Sequence, residues 1–66
     1  MCNYSVIASD DNGVVYYEEF RYKGIAFAIA DELSVKFPDW HGIVQEFGKN
    51  GIHVIRTFGI KESLGD

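Results

Sequence analysis

Two pairs of adjacent carboxylates, Glu18-Glu19 and Asp31-Glu32, are the side chains that most invite an acid–base reading. General acid–base chemistry needs two such groups converging on one bond. Glu18 and Glu19 fall in a stretch rich in Tyr, Val and Phe that reads as a strand, where neighbours point to opposite faces. Asp31 and Glu32 fall in a helical pattern, where neighbours diverge by about 100°. Neither pair converges. Asp10-Asp11-Asn12 has the composition of a calcium loop, but the twelve-residue spacing puts Arg21 where the closing Glu belongs. His41 and His53, even with Asp39 or Glu46, lack a third ligand of fixed position, so no metal and no other cofactor is expected. Cys2 with a histidine supplies a thiol but nothing to orient the base or to hold an oxyanion. The chain therefore reads as non-enzymatic, with no catalytic residue.

Binding to nucleic acid is the next chemistry to weigh. Lys23-Gly24-Ile25-Ala26-Phe27-Ala28 partly matches an RNA-recognition signature, but that signature needs a strand displaying alternate aromatics. Here the segment runs on as Ile29-Ala30-Asp31-Glu32-Leu33, in helical spacing, and Ile25 replaces the first aromatic. Six basic against ten acidic residues leave a net charge of -4, which disfavours a duplex or a membrane surface as partner. Arg21, Lys23 and Arg56 are the residues that a weak nucleic-acid contact would use.

The elements that position these residues follow from periodicity. Ala26, Ile29, Ala30, Leu33 and Phe37 share one face of a helix over Gly24 to Phe37, which Pro38 ends. Asn3 to Ser9 and Val14 to Tyr22 flank Asp10-Asp11-Asn12-Gly13, where Asp first and Gly fourth suit a type I turn closed by a glycine bulge. That register pairs Ala8 with Tyr16 and Val6 with Glu18, and puts Tyr4, Val6, Ala8, Val14, Tyr16 and Phe20 on one face. Ile43 to Phe47 and Ile52 to Ile60 form a second hairpin around Gly48-Lys49-Asn50-Gly51. The hairpins echo each other, since Phe20 and Phe58 each follow an Asn-Gly glycine by seven residues, and the analogy puts Ile52, Val54 and Phe58 toward the helix.

The expected fold is α+β, ββαββ, with a four-stranded antiparallel sheet and one helix packed on one face. Strand orders 2-1-3-4 and 1-2-4-3 both keep all neighbours antiparallel. Residues 1–66 make a single domain, with 61–66 expected as a frayed tail. A lone cysteine excludes an internal disulfide and fits a reducing cytoplasm, and neither a leader pattern nor a long apolar run predicts export or membrane spanning.

One helix cannot cover both faces of such a sheet. The expected open face carries Ser5, Ile7, Ser9, Val15, Tyr17, Glu19, Arg21, Ile43, Gln45, Phe47, His53, Ile55 and Thr57, six of them large apolar or aromatic groups. An apolar face of that kind on a small chain marks association, with a second copy or with a foreign protein. A chain this short buries only roughly 60% of its unfolded surface, so help from a partner is expected on size alone. Ile7, Val15, Tyr17, Glu19, Ile43, Phe47, His53 and Ile55 are the candidate contact residues of the face. Phe27, Asp31 and Val35, spaced i, i+4, i+8, form a second candidate ridge on the helix, and Trp40 with His41 a third in the loop, where Trp40 otherwise plugs the end of the core. As an alternative, Tyr17, Trp40, His41 and His53 line an interfacial pocket for a small ligand or nucleotide in an oligomer.

Small acidic chains with one helix between two hairpins resemble the compact proteins by which phages block host defence or redirect host enzymes. Trp40-His41-Gly42-Ile43-Val44 leading into a hairpin at Asn50-Gly51, after an alanine-rich helix, resembles the second half of one ββαββ anti-CRISPR family. The resemblance implies a phage-encoded inhibitor in the host cytoplasm that occludes a protein surface. The basic surface by which some of those inhibitors occupy a nucleic-acid groove has no counterpart here, and no functional residue carries over.

Overall fold

The computed structural model describes residues 3–59, so Cys2 and the tail at 61–66 lie outside the described residues. The chain runs β1 (Tyr4–Asp10), β2 (Gly13–Phe20), α1 (Lys23–Lys36), β3 (His41–Gly48), β4 (Gly51–Phe58). The four strands form one antiparallel sheet in the order β2-β1-β3-β4, an α+β ββαββ fold. Of the two expected orders, this one keeps Glu18 and Arg56 off the central strands, leaving Glu46, near the end of β3, as their one helix-side charge. Its central strands present Val6, Ala8, Gly42 and Val44 toward α1, while the edges carry Glu18 and Arg56 on that side. The reverse order would have buried Glu18 and Arg56 at the centre, at a cost far above what this small core offsets.

Small residues on both sides bring the helix close to the sheet. Ala26, Ala30 and Leu33 are the buried helical positions, and they meet Val6, Ala8, Val44 and Phe58 in one cluster. Tyr4, Tyr16, Phe20, Phe27, Ile29, Trp40 and Ile55 pack around it. The helix starts at Lys23, one residue earlier than its periodicity suggests, with Tyr22 as N-cap and no side-chain cap. Phe37 sits at the C-cap, its N–H donating to Leu33 O, and Pro38 follows.

Both turns sit where expected, but neither closes with a bulge at its glycine, since Asp10 pairs with Gly13 and Gly48 with Gly51. Asp11-Asn12 and Lys49-Asn50 are the loop residues, Gly13 and Gly51 take φ of 123° and 121°, and the Asn12 N–H donates to Asp10 Oδ1 at 2.7 Å. Only glycine enters that region without strain, which explains the Asn-Gly echo. Ala8 faces Tyr16 and Val6 faces Glu18 as expected, a register set by an extra residue in β2 and not by the turn itself.

The echo ends at the bulges. The first hairpin shifts register at Ala8/Ser9, leaving Val15 as the extra residue, and the second shifts at Val44/Gln45, leaving Ile55 as the extra residue. These shifts reverse five face assignments. Val14 pairs with Ser9 on the open side rather than facing the helix. Ile52 pairs with Phe47 and Val54 with Gln45, so both are open-face residues too. His53 instead stands opposite Glu46 on the helix side, and Ile55 packs against the core.

Candidate partner-binding surface

Opposed residues in an antiparallel pair share a face, so the ladders give the open side directly. Glu19, Ser5, Gln45 and Val54 form one row across the four strands, and Tyr17, Ile7, Ile43 and Thr57 the next. Phe47 with Ile52 lies beyond the first row, and Val14, Ser9 and His41 beyond the second. Seven of these thirteen side chains are apolar or aromatic, and Glu19 is the one permanently charged group. Val14, Tyr17, Ile52 and Val54 are 65%, 54%, 59% and 53% exposed, while Ile7, Ile43 and Phe47 are half-buried among their neighbours. The face is greasy and nearly uncharged, as sequence alternation anticipates, with Val14, Ile52 and Val54 on it and His53 and Ile55 off it, while Val15, the extra residue of its bulge, is 41% exposed.

A small polar inset interrupts it. Ser5 is fully buried although it lies on the side away from the helix, and its Oγ donates to Gln45 Oε1 at 3.2 Å. At the β2 edge the Tyr17 hydroxyl donates to Glu19 Oε2 at 2.5 Å, which holds that carboxylate against its own strand. The charge that does exist on this side is thus already engaged.

Ionised groups gather on the other side. Glu18, Glu46 and Arg56 occupy the helix-facing rows of the sheet, and Asp31 and Glu32 ride on the helix. Glu18 and Glu19 therefore point to opposite faces and cannot act on one bond. The Tyr16 hydroxyl donates to Glu18 Oε1 at 2.7 Å. Burial first, then that hydrogen bond and the negative charge of Glu18 and Glu32, push the Tyr16 hydroxyl up from 10.0 to about 12.

The helix ridge is not a free ridge. Arg56 reaches from β4 to place Nη2 2.6 Å from Asp31 Oδ1, and its guanidinium lies 4.9 Å from the centre of the Phe27 ring. Phe27 also packs on the core, so Phe27 and Asp31 are engaged within the fold and Val35 alone of the three stands exposed without an internal role. The same contacts hold Arg56, one of the basic trio with Arg21 and Lys23, against the helix. Trp40 stacks on Phe37 with ring centres 4.0 Å apart and planes 12° from parallel, and it packs against the core, which is the plug arrangement.

His41 is exposed beside a shallow cleft of about 580 Å3 lined by Asp10, Asp11, Asn12, Asp39, Trp40, His41 and Gly59. Tyr17 lies outside this cleft on the open face, and His53 is on the helix side of β4, so within one chain the four residues do not share a pocket. Among the described residues no group of three or more His, Cys, Asp or Glu is placed to hold a metal ion. No helix among the described residues is long and apolar enough to cross a membrane.

No protein-family model, no curated protein and no solved structure matches the chain. The residues that sequence reasoning misplaced had one visible sign. Val14-Val15 and Val54-Ile55 are apolar doublets, and strict alternation cannot put both members of such a doublet on one face. A doublet inside an alternating strand is where a bulge can sit.

Proposed function

We propose that this chain is a non-enzymatic protein-binding module, and that its working surface is the open face of the sheet. The observation that carries this reading is the segregation of charge. In a chain with 24% charged residues, thirteen solvent-side positions of the sheet hold one carboxylate, and seven hold apolar or aromatic groups. Water-facing sides of antiparallel sheets are ordinarily polar. Depletion of charge with retention of Tyr, Phe and aliphatic groups is the pattern of an interface core.

The reading of the partner as a host defence protein or host enzyme, occluded by a phage-encoded inhibitor in the host cytoplasm, rests on the resemblance of the helix and second hairpin described above. A face without basic residues suits a protein surface better than a nucleic acid.

The test is association of tagged protein, purified and in host lysate, followed by sedimentation velocity. Tyr17→Ala and Val54→Asp should reduce the sedimenting mass toward that of the 7.5 kDa chain with helix content unchanged by circular dichroism. Val35→Asp, on the exposed helix flank, should leave it unaltered. Equal sedimentation of wild type and both face variants in both settings contradicts the reading.

A further inference from the structure

We infer that the first occupant of the open face is a second copy of this chain, docked face to face so that two sheets pack between two outer helices. This rests on the reading of the open face as a binding surface and names its partner.

Area is the first argument. Strands of seven or eight residues at about 3.3 Å each, set about 4.8 Å apart in a four-stranded sheet, give a face of roughly 25 by 19 Å. With side-chain relief that is on the order of 600–700 Å2 per copy, and a stable pair needs about 600 Å2 or more from each partner. The face is just sufficient, so pairing must use all of it, with Ile7 and Ile43 at the centre and Val54 and Tyr17 toward opposite edges.

Charge is the second. A chain of net charge -4 repels its own copy unless the acids are kept apart. Glu18, Glu46, Asp31 and Glu32 lie on the helix side, beyond the sheet. Two sheets packed about 10 Å apart leave those acids separated by roughly 20 Å or more, over twice the screening length of about 8 Å at physiological salt. The facing surfaces bring only Glu19, at a sheet edge and already hydrogen-bonded to Tyr17. Interfaces between identical chains are also the most apolar class, which matches this face better than a partner of opposite charge does.

The test is light scattering of the purified chain across a dilution series, joined to distance measurement between spin labels on Val35→Cys in a Cys2→Ser background. The expected mass is twice 7.5 kDa at tens of micromolar, falling toward 7.5 kDa on dilution. Ile43→Asp and, because a central substitution risks the fold, the exposed Val54→Lys should each weaken the pair tenfold or more. Layers about 10 Å apart put the two helix axes about 30 Å from each other, so the label distance should be at least that. A single chain at every concentration overturns self-pairing, as does a pair that survives both variants or brings the labels within about 20 Å. If the chain is single but Val54→Lys still abolishes capture of another protein, self-pairing fails while the binding-surface reading stands. Loss of both outcomes removes both.

Discussion

Val54 stands directly opposite Gln45, one step out of phase with the pairing of Val44 and Arg56. The extra residue that causes the step, Ile55, turns onto the core, and Val54 turns to solvent. Consecutive residues of one strand thus serve two different purposes.

Substituting the two should separate these purposes. Val54→Asp places a charge where water already reaches and should change folding stability by less than about 1 kcal/mol while weakening association. Ile55→Asp forces a carboxylate against the apolar core cluster and should cost roughly 2 kcal/mol or more. Urea unfolding of the two variants checks this, and equal losses would put the bulge elsewhere.

Gly42 fixes how β1, β3 and β4 meet. A Cβ at Gly42 would stand 2.2 Å from the Ile7 carbonyl oxygen and 2.5 Å from the Phe58 ring. The ring can tilt; the carbonyl belongs to the central ladder and cannot. Gly42→Ala should therefore cost about 1–3 kcal/mol by overpacking, read as a lower urea midpoint with unchanged slope. A neutral result would mean that the two central strands lie farther apart than described.

Tyr16 gives the fold an alkaline limit. The unfolded chain releases this proton near 10.0, whereas the folded chain holds it to about 12. Between those values the unfolded state binds fewer protons, so stability is fully present below pH 10 and falls as pH rises toward 12. Tyr16→Phe should lose less stability than wild type over that window. Parallel melting curves for the two proteins from pH 9.5 to 11.5 would show instead that neither burial nor the Glu18 and Glu32 carboxylates raise this hydroxyl.

Much of the architecture was legible because the local signals agree with one another. Asp10 to Gly13 specifies its turn, Ala26 to Leu33 has helical spacing, and Pro38 ends the helix, so element order and type follow from the sequence. Strand order depends on which strands tolerate the helix above them, a comparison of Val6 and Val44 with Glu18 and Arg56 that acts through space. The open face was legible in kind but not in membership. Val15 and Ile55 sit in bulges whose positions depend on pairing partners distant in the chain, and a one-residue slip exchanges faces. The capture of Phe27 and Asp31 by Arg56 joins residues from the helix and the last strand, and periodicity within either element carries no sign of it.

Tyr17 and Tyr22 are 54% and 61% exposed, one on the open face and one outside it, so they form a matched pair of reporters. Hydroxyl-radical labelling in host lysate and in concentrated pure protein, read by mass spectrometry, measures the cover over each. A covered face predicts that Tyr17 is labelled several-fold less than Tyr22 in at least one of those settings, and that Val54→Asp restores the balance. Near-equal labelling of the two tyrosines in both settings would contradict the claim that this face works by being covered.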